Sequence, residues 1–391
     1  SVVARDETDF ESWNNLGNSR SALGDFSGSI SALERAVMLD PLSAPTRLNL
    51  ASALQSASEP AKAAEVLRKA ASDFPGDAKP LYELSLQLKN EGKQEESLDL
   101  LEQAVAREPD DAAMQLKLGV EYWMVRRNPE SEIAFRNAIR LDPHLVDAYL
   151  GLIIQYEHSN RANEFAPLIE LAEGNGLDGG AIAFMRAMEQ RRAGLFEEGL
   201  ESLLLVPEEI EPQRTAHVRA TLLDRLGQTD AAFASFVEAN RIHQDGPTEP
   251  LKRAAELRDE IRSELAMLDA DWVGGWPSAA PVSDRPDPVF LVGFPRSGTT
   301  LLDTILMGHP GTVVLEEQPP LNFVDKAIGG MAKIPTLDEE GIVRARRQYF
   351  DEVAKLEDVG PSTLLIDKSP LSLQKVPLIQ RLFPNARVIL A

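Results

Sequence analysis

Apolar and small residues recur along the first part of the chain at a shift of 34. Leu16, Leu50, Leu84 and Leu118 fall in phase, each followed by a small residue: Gly17, Ala51, Ser85 and Gly119. Later in each unit come Ser29, Ala63, Ser97 and Ser131, then Leu33, Leu67, Leu101 and Phe135, then Ala36, Ala70, Ala104 and Ala138. A proline closes each unit, at Pro41, Pro75, Pro109 and Pro143. The pattern predicts helix, turn, helix and proline stop, four times over. A helix pair of this kind cannot bury its apolar face alone, so neighbouring pairs must stack.

The first unit begins with Trp13, two residues, Leu16 and Gly17, and the fourth runs Leu118, Gly119, two residues, Tyr122. On these residues the segment resembles the tetratricopeptide repeat (TPR) family. The resemblance implies an α-solenoid with a groove that takes a protein or peptide segment. Beyond residue 145 the spacing loosens. Tyr149, Leu152, Tyr156 and Ala172 fit a fifth unit, with Leu177 where the proline should stand. Two further pairs are predicted around Gly194-Leu195-Phe196 and Leu226-Gly227-Gln228, with Ala232, Phe236 and Ala239 on one face. About seven helix pairs are therefore expected over residues 1–245.

Residues 250–268 keep helical period, with Leu251, Ala255, Leu257, Ile261, Leu265 and Leu268 to one side, and are expected to cap the last repeat. Gly274, Gly275, Pro277, Pro281, Pro286 and Pro288 then predict an irregular link, so residues 246–287 read as cap and linker. After the linker the grammar changes. Short apolar runs at 288–292, 363–366 and 386–390, with a weaker one at 312–315, alternate with helical segments. This predicts an α/β domain from residue 288, with a parallel sheet and helices on both faces.

Charge sharpens the division. The 391 residues carry 40 Lys plus Arg against 62 Asp plus Glu, a net charge of −22, which argues against a chain that wraps nucleic acid or an anionic membrane. Residues 1–287 hold 29 basic and 50 acidic side chains, whereas residues 288–391 hold 11 and 12. A groove ligand chosen by overall charge is accordingly expected to be basic or neutral. There is no cysteine, which excludes a disulfide framework, Cys-ligated zinc and a Cys nucleophile, and five scattered His leave little for a metal site, so no metal is expected. No run reaches the roughly eighteen apolar residues of a membrane helix. A soluble, cytoplasmic protein is the expectation.

The most informative segment is Gly293-Phe294-Pro295-Arg296-Ser297-Gly298-Thr299-Thr300, set between the strand ending at Val292 and an apolar helix running to about Met307. Unpaired N–H groups at a helix start, with glycines that let backbone approach phosphate oxygens, form an anion site. The glycine spacing is that of a P-loop. Thr299 stands where a nucleoside triphosphatase carries lysine, which argues against ATP or GTP hydrolysis and for a 5′-phosphate whose leaving partner is not a triphosphate.

The run PVFLVGFPRSGTTLL resembles the 5′-phosphosulfate loop of the sulfotransferase family, which uses 3′-phosphoadenosine-5′-phosphosulfate (PAPS) as co-substrate. His309-Pro310 followed by Glu316-Glu317 is similar to the tyrosylprotein sulfotransferases, and Asp367-Lys368-Ser369-Pro370 with Leu382-Phe383-Pro384-Asn385 is similar to the family's segment in which a Lys faces the donor. The resemblance implies that Arg296, Ser297, Gly298, Thr299 and Thr300 bind PAPS, that Arg296 and Lys368 supply positive charge, and that Glu317, or Glu316 beside it, is the base. The acceptor hydroxyl is open between a protein tyrosine, a carbohydrate and a lipid-linked hydroxyl. The family's 3′-phosphate motif is expected beyond Ala391, so the domain reads as truncated, with weak PAPS binding. The competing readings are a TPR scaffold with an inactive P-loop domain and a nucleotide phosphotransferase, the latter disfavoured by Thr299.

Overall fold

The computed structural model describes residues 7–246, 248–276, 285–360 and 363–391. These fall into two compact units, Ser1–Asp245 and Gly246–Ala391. The linker prolines Pro277 and Pro281 lie outside the described residues.

The first unit is a TPR-like solenoid of seven antiparallel helix pairs among the described residues: α1 (Phe10–Ala22) with α2 (Phe26–Leu39), α3 (Ala44–Ser56) with α4 (Pro60–Asp73), α5 (Lys79–Asn90) with α6 (Gln94–Arg107), and α7 (Ala112–Met124) with α8 (Asn128–Leu141). Then follow α9 (Val146–His158) with α10 (Phe165–Gly174), α11 (Gly179–Ala193) with α12 (Phe196–Leu203), and α13 (Pro212–Arg225) with α14 (Thr229–Gln244). Local chemistry starts and stops these helices. The carboxylates of Asp25 and Asp111 accept from the amides of Gly28 and Met114, each at 2.9 Å, and the repeat prolines stand just past α2, α4, α6 and α8.

The in-phase positions are those where helices approach. Leu33, Leu67, Leu101 and Phe135 are all buried, as are the four alanines three residues further on. A methyl group on Gly17 would sit 2.5 Å from Leu33 Cγ. Phe135 is larger than the leucine it replaces, and two glycines make room for it: methyl groups on Gly119 and Gly151 would lie 2.8 and 2.7 Å from its ring. The recurrent serines also tie the helices of a pair together, Ser97 Oγ donating to the Ser85 carbonyl and Ser131 Oγ to that of Gly119, both at 2.7 Å. Six residues after three of the repeat prolines a side chain returns to satisfy the proline carbonyl, from Arg47 (2.6 Å), Gln115 (2.9 Å) and Tyr149 (3.0 Å).

In the second unit a helix, α15 (Pro250–Met267), and a short one, α16 (Ala270–Gly274), precede the sheet. Met267, Leu268, Trp272 and Trp276 pack against the core of this unit, so the end of the helix read from sequence as a cap of the last repeat is anchored here instead. The sheet has four parallel strands in the order β2 (Thr312–Glu316), β3 (Leu364–Lys368), β1 (Val289–Val292), β4 (Arg387–Leu390). The intervening helices are α17 (Thr299–Met307), α18 (Pro320–Ile328), α19 (Glu339–Ala354) and α20 (Val376–Leu382).

Alternation along β1 sends its residues to two cores. Val289 and Leu291 join Ile366 against Leu302 and Leu306 of α17, while Phe290 and Val292 meet the opposite face, where Tyr349 of α19 and Phe383 after α20 stack at 5.0 Å between ring centres. Helices thus cover both faces of β1.

Gly119→Ala is expected to destabilise the solenoid by about 1–3 kcal/mol, because Phe135 has no room to yield, despite alanine's better helix propensity. Adding Phe135→Leu should recover part of the loss. Urea unfolding followed by far-ultraviolet circular dichroism checks both; an unchanged midpoint for the single variant would show that the contact is soft.

Candidate active site

The loop after β1 is shaped by two glycines. A methyl group on Gly293 would lie 2.4 Å from the carbonyl oxygen of Ala391 and 2.9 Å from Ser297 Oγ, so only glycine lets the chain leave the sheet here. Gly298, at φ +91°, occupies the left-handed region that favours glycine and caps the start of α17. Arg296 shares that strained region at φ +69°. The amides of Gly298, Thr299 and Thr300 donate to no backbone carbonyl among the described residues, as befits the first turn of a helix. The Arg296 side chain is exposed and makes no ion pair among the described residues.

A cleft of about 680 Å³ opens over this turn. Arg296, Gly298, Thr299, Thr300 and Glu317 line it together with Pro295, Ser369, Pro370 and Leu371. Residues 296, 298–300, 317 and 369 are therefore brought together by the fold. Ser297 is not among the lining residues; its amide donates to the Phe294 carbonyl at 3.1 Å and holds the turn closed. The segment after β3, named from sequence only for Lys368, adds Ser369 and Pro370 to the wall, and the Gly293 amide donates to the Pro370 carbonyl at 3.3 Å.

Lys368 sits below the cleft with its side chain fully buried. Its Nζ lies 2.9 Å from Asp303 Oδ2, 3.1 Å from Glu316 Oε1 and 3.2 Å from Glu317 Oε1. An ammonium has three N–H donors, and three carboxylates surround this one. Burial works to lower the Lys368 pKa, but the hydrogen bonds to Asp303, Glu316 and Glu317 outweigh it, so the pKa is raised and the amine stays charged. Geometry explains the convergence. Glu316 stands directly across from Lys368 in the β2–β3 register, and Glu317, turned into the left-handed region at φ +50°, donates its amide to the Lys368 carbonyl at 2.7 Å.

Asp303 was not singled out by the sequence reading. It lies four residues beyond Thr299 on α17, and both are buried on one face of that helix, at 1% and 4% exposure. The available signal was a lone acid inside the apolar run LLDTILM. The three carboxylates differ in freedom: Asp303 is locked, whereas Glu316 and Glu317 are half exposed. No cluster of three or more His, Cys, Asp or Glu side chains is arranged for a metal ion among the described residues.

On the other side of β3, Asp367 faces the second core and accepts from Tyr349 Oη at 2.8 Å, both side chains buried. Burial pushes the Asp367 carboxyl up from 3.8 to about 6, with the tyrosine hydrogen bond pulling the other way. Burial, and then the adjacent carboxylate, push the Tyr349 phenol well above its ordinary value. An Asp raised in this way keeps its proton in the folded state while the unfolded chain releases it. The second unit should therefore lose about 2–3 kcal/mol as pH rises from about 4 to about 6, and no more above that. Asp367→Asn should abolish this contribution. Chemical denaturation of both proteins from pH 4 to 7 checks it, and a pH-independent stability difference would count against it.

Comparison with known proteins places these units. Residues 288–391 match the family described as "Sulfotransferase family", and residues 14–78 and 82–146 match "Tetratricopeptide repeat". The chain is 30% identical over 204 residues to an uncharacterized protein of Aquifex aeolicus (strain VF5), an overlap of 49% of this chain and 26% of that one. It is 30% identical to protein-tyrosine sulfotransferase 2 of Gallus gallus over 36% of this chain and 38% of the relative, and 31% identical to protein-tyrosine sulfotransferase 1 of Homo sapiens over 26% and 30%. The chain thus spans between 26% and 38% of the length of these relatives. Among the described residues no helix is long and apolar enough to cross a membrane. Tetratricopeptide repeats followed by a segment of the sulfotransferase family are what this chain is built from.

Proposed function

We propose that the second unit carries a PAPS-dependent sulfotransferase site acting on a hydroxyl acceptor, and that the repeats of the first unit bind a protein segment. The observation that carries the first reading is the convergence of an unpaired Arg296, the free helix-start amides of residues 298–300 and the Glu317 carboxylate on one cleft, with a charged lysine beneath it. These groups suit a dianionic 5′-phosphate at the loop end and a proton acceptor opposite.

The co-substrate would supply an activated sulfuryl group on a phosphate leaving group. The chain's residues do the rest. Amides 298–300 and Arg296 hold and neutralise the phosphate through charge-assisted hydrogen bonds, and they need no reorganisation to do so. Glu317 orients the acceptor hydroxyl and takes its proton. Glu316 lines no part of the cleft, so of the two neighbours Glu317 is assigned the base and Glu316 the task of holding Lys368. Lys368 Nζ donates to Glu316 and Glu317 and stands 2.9 Å from Asp303, so the lysine turns to the co-substrate as one glutamate withdraws. The half-exposed Glu317 is free to do so, whereas Asp303 stays. A base that releases Lys368 as it engages the acceptor couples the two halves of the site.

The family relation supports PAPS as donor. The names of the curated relatives favour a protein tyrosine as acceptor over a carbohydrate.

Calorimetric titration with 3′-phosphoadenosine-5′-phosphate should show saturable binding that Arg296→Ala weakens about tenfold to a hundredfold, with no competition from magnesium–ATP. Absence of binding to the wild-type chain would favour a repeat scaffold with a vestigial transferase segment. In a transfer assay Glu317→Gln should lower kcat about 10²–10⁴-fold, and Glu316→Gln much less. Equal losses would move the base to Glu316 or to the pair.

A further inference from the structure

Half of the residues lining a cavity in the acidic solenoid are arginines. Arg191, Arg192 and Arg225, with Gly194, Phe196 and Thr221, enclose about 400 Å³ where the C-terminal ends of α11 and α13 meet the start of α12. The charge distribution there is sharply local. Helices α11 and α13 carry six arginines against two acidic residues, Glu189 and Asp224, while α12 between them carries three glutamates and no base.

Carboxylates answer four of the six: Arg186 pairs with Glu173 and Arg219 with Glu238 at 3.2 Å. Arg191 and Arg214 share Glu157, and Arg214 also has Glu211 at 3.8 Å. Arg192 is bonded only to the neutral Asn160 side chain, and Arg225 makes no ion pair or side-chain hydrogen bond among the described residues. Arg214 Nε is buried without a hydrogen-bond partner. Crowding of like charge is felt by the neighbours: burial, then Arg192 and Arg214, lower the Arg191 pKa, and burial, then Arg191 and Arg214, lower that of His217. The Thr221 hydroxyl is already spent on the His217 carbonyl at 2.9 Å.

We propose that this cavity is a docking site for an acidic peptide segment, whose side-chain carboxylates pair with Arg192 and Arg225 while the ring of Phe196 contacts the aliphatic part of the segment. Guanidinium forks left without carboxylates in a partly enclosed site are matched by carboxylates in bidentate geometry. A long polyanion such as nucleic acid suits the site poorly, because beyond about one Debye length it meets an acidic surface. A short segment with two or three carboxylates fits inside the basic area. The inference rests on the reading that the repeats take a protein segment, and not on the transfer chemistry. It runs opposite to the basic or neutral ligand expected from overall charge, since the net charge of −22 hides a local basic site.

The test uses the 391-residue protein and three dye-labelled peptides of equal length, rich in Glu, in Gln or in Lys, followed by fluorescence anisotropy. The Glu peptide should bind best, weaken as salt rises, and lose about tenfold in affinity to Arg192→Ala/Arg225→Ala, whose exposed positions leave the helix packing intact. The variant Arg192→Glu/Arg225→Glu should instead favour the Lys peptide. Binding of the Gln or Lys peptide without binding of the Glu peptide would overturn the acidic site alone. Failure of all three would overturn it together with the peptide-binding reading of the repeats. Tight binding of the Glu peptide that neither double variant alters would also reject this site.

Discussion

An ammonium group with no access to solvent governs the second unit. Taking the Lys368 charge out of water costs several kcal/mol unless it is answered at close range, and three carboxylates answer it. They come from different parts of the chain: Asp303 from the helix after the loop, Glu316 from the end of β2, Glu317 from the residue beyond. Satisfying the lysine therefore sets several things at once. The β2–β3 register must bring Glu316 opposite Lys368, since a slip of one residue would send the carboxylate to the other face. The helix α17 must lie with Asp303 inward, which in turn aims its first amides and Arg296 at the cleft.

The same cluster gives the site its electrostatic character. Three carboxylates surround one ammonium, so the floor beneath the cleft is negative, while the loop end, with Arg296 and the helix-start amides, is positive. A single strand, β3, separates this arrangement from the second buried polar pair, Asp367 with Tyr349. Alternation along the strand puts Lys368 on the solvent-linked side and Asp367 in the apolar core, and the two neighbours are pushed in opposite electrostatic situations: one kept charged by partners, the other inclined to keep its proton by burial.

In the solenoid the controlling constraint is distance between helices. Small residues at the contact positions allow helices of a pair to approach until serine hydroxyls reach backbone carbonyls across the gap, and where one apolar residue grows to phenylalanine, glycines appear on both sides of it. Polar side chains then complete the accounting at the ends of the helices by returning to the proline carbonyls. The outer surface is left to charge, and it is uneven, with an arginine-lined cavity set in an acidic array.

Features that repeat or run locally along the chain were legible without coordinates. The 34-residue period marks the helix pairs because stacking demands the same contacts from every unit, and the strands show as short apolar runs, most strongly β1 and β3, which are buried on both faces. The loop between β1 and α17 is legible for a related reason: its glycines, Arg296 and the two threonines are contiguous, and helix-start geometry is local. Other features were decided only by packing. Whether the amphipathic stretch after residue 250 serves the repeats or the sheet depends on which core takes Met267, Leu268, Trp272 and Trp276. Asp303 reads as an ordinary helix acid until α17 is laid on the sheet 65 residues before Lys368 in sequence, and Arg192 and Arg225 read as solvent-facing until α11 and α13 are side by side. Period and motif record what neighbours in sequence must do, whereas burial and charge pairing depend on distances between residues that the chain itself keeps far apart.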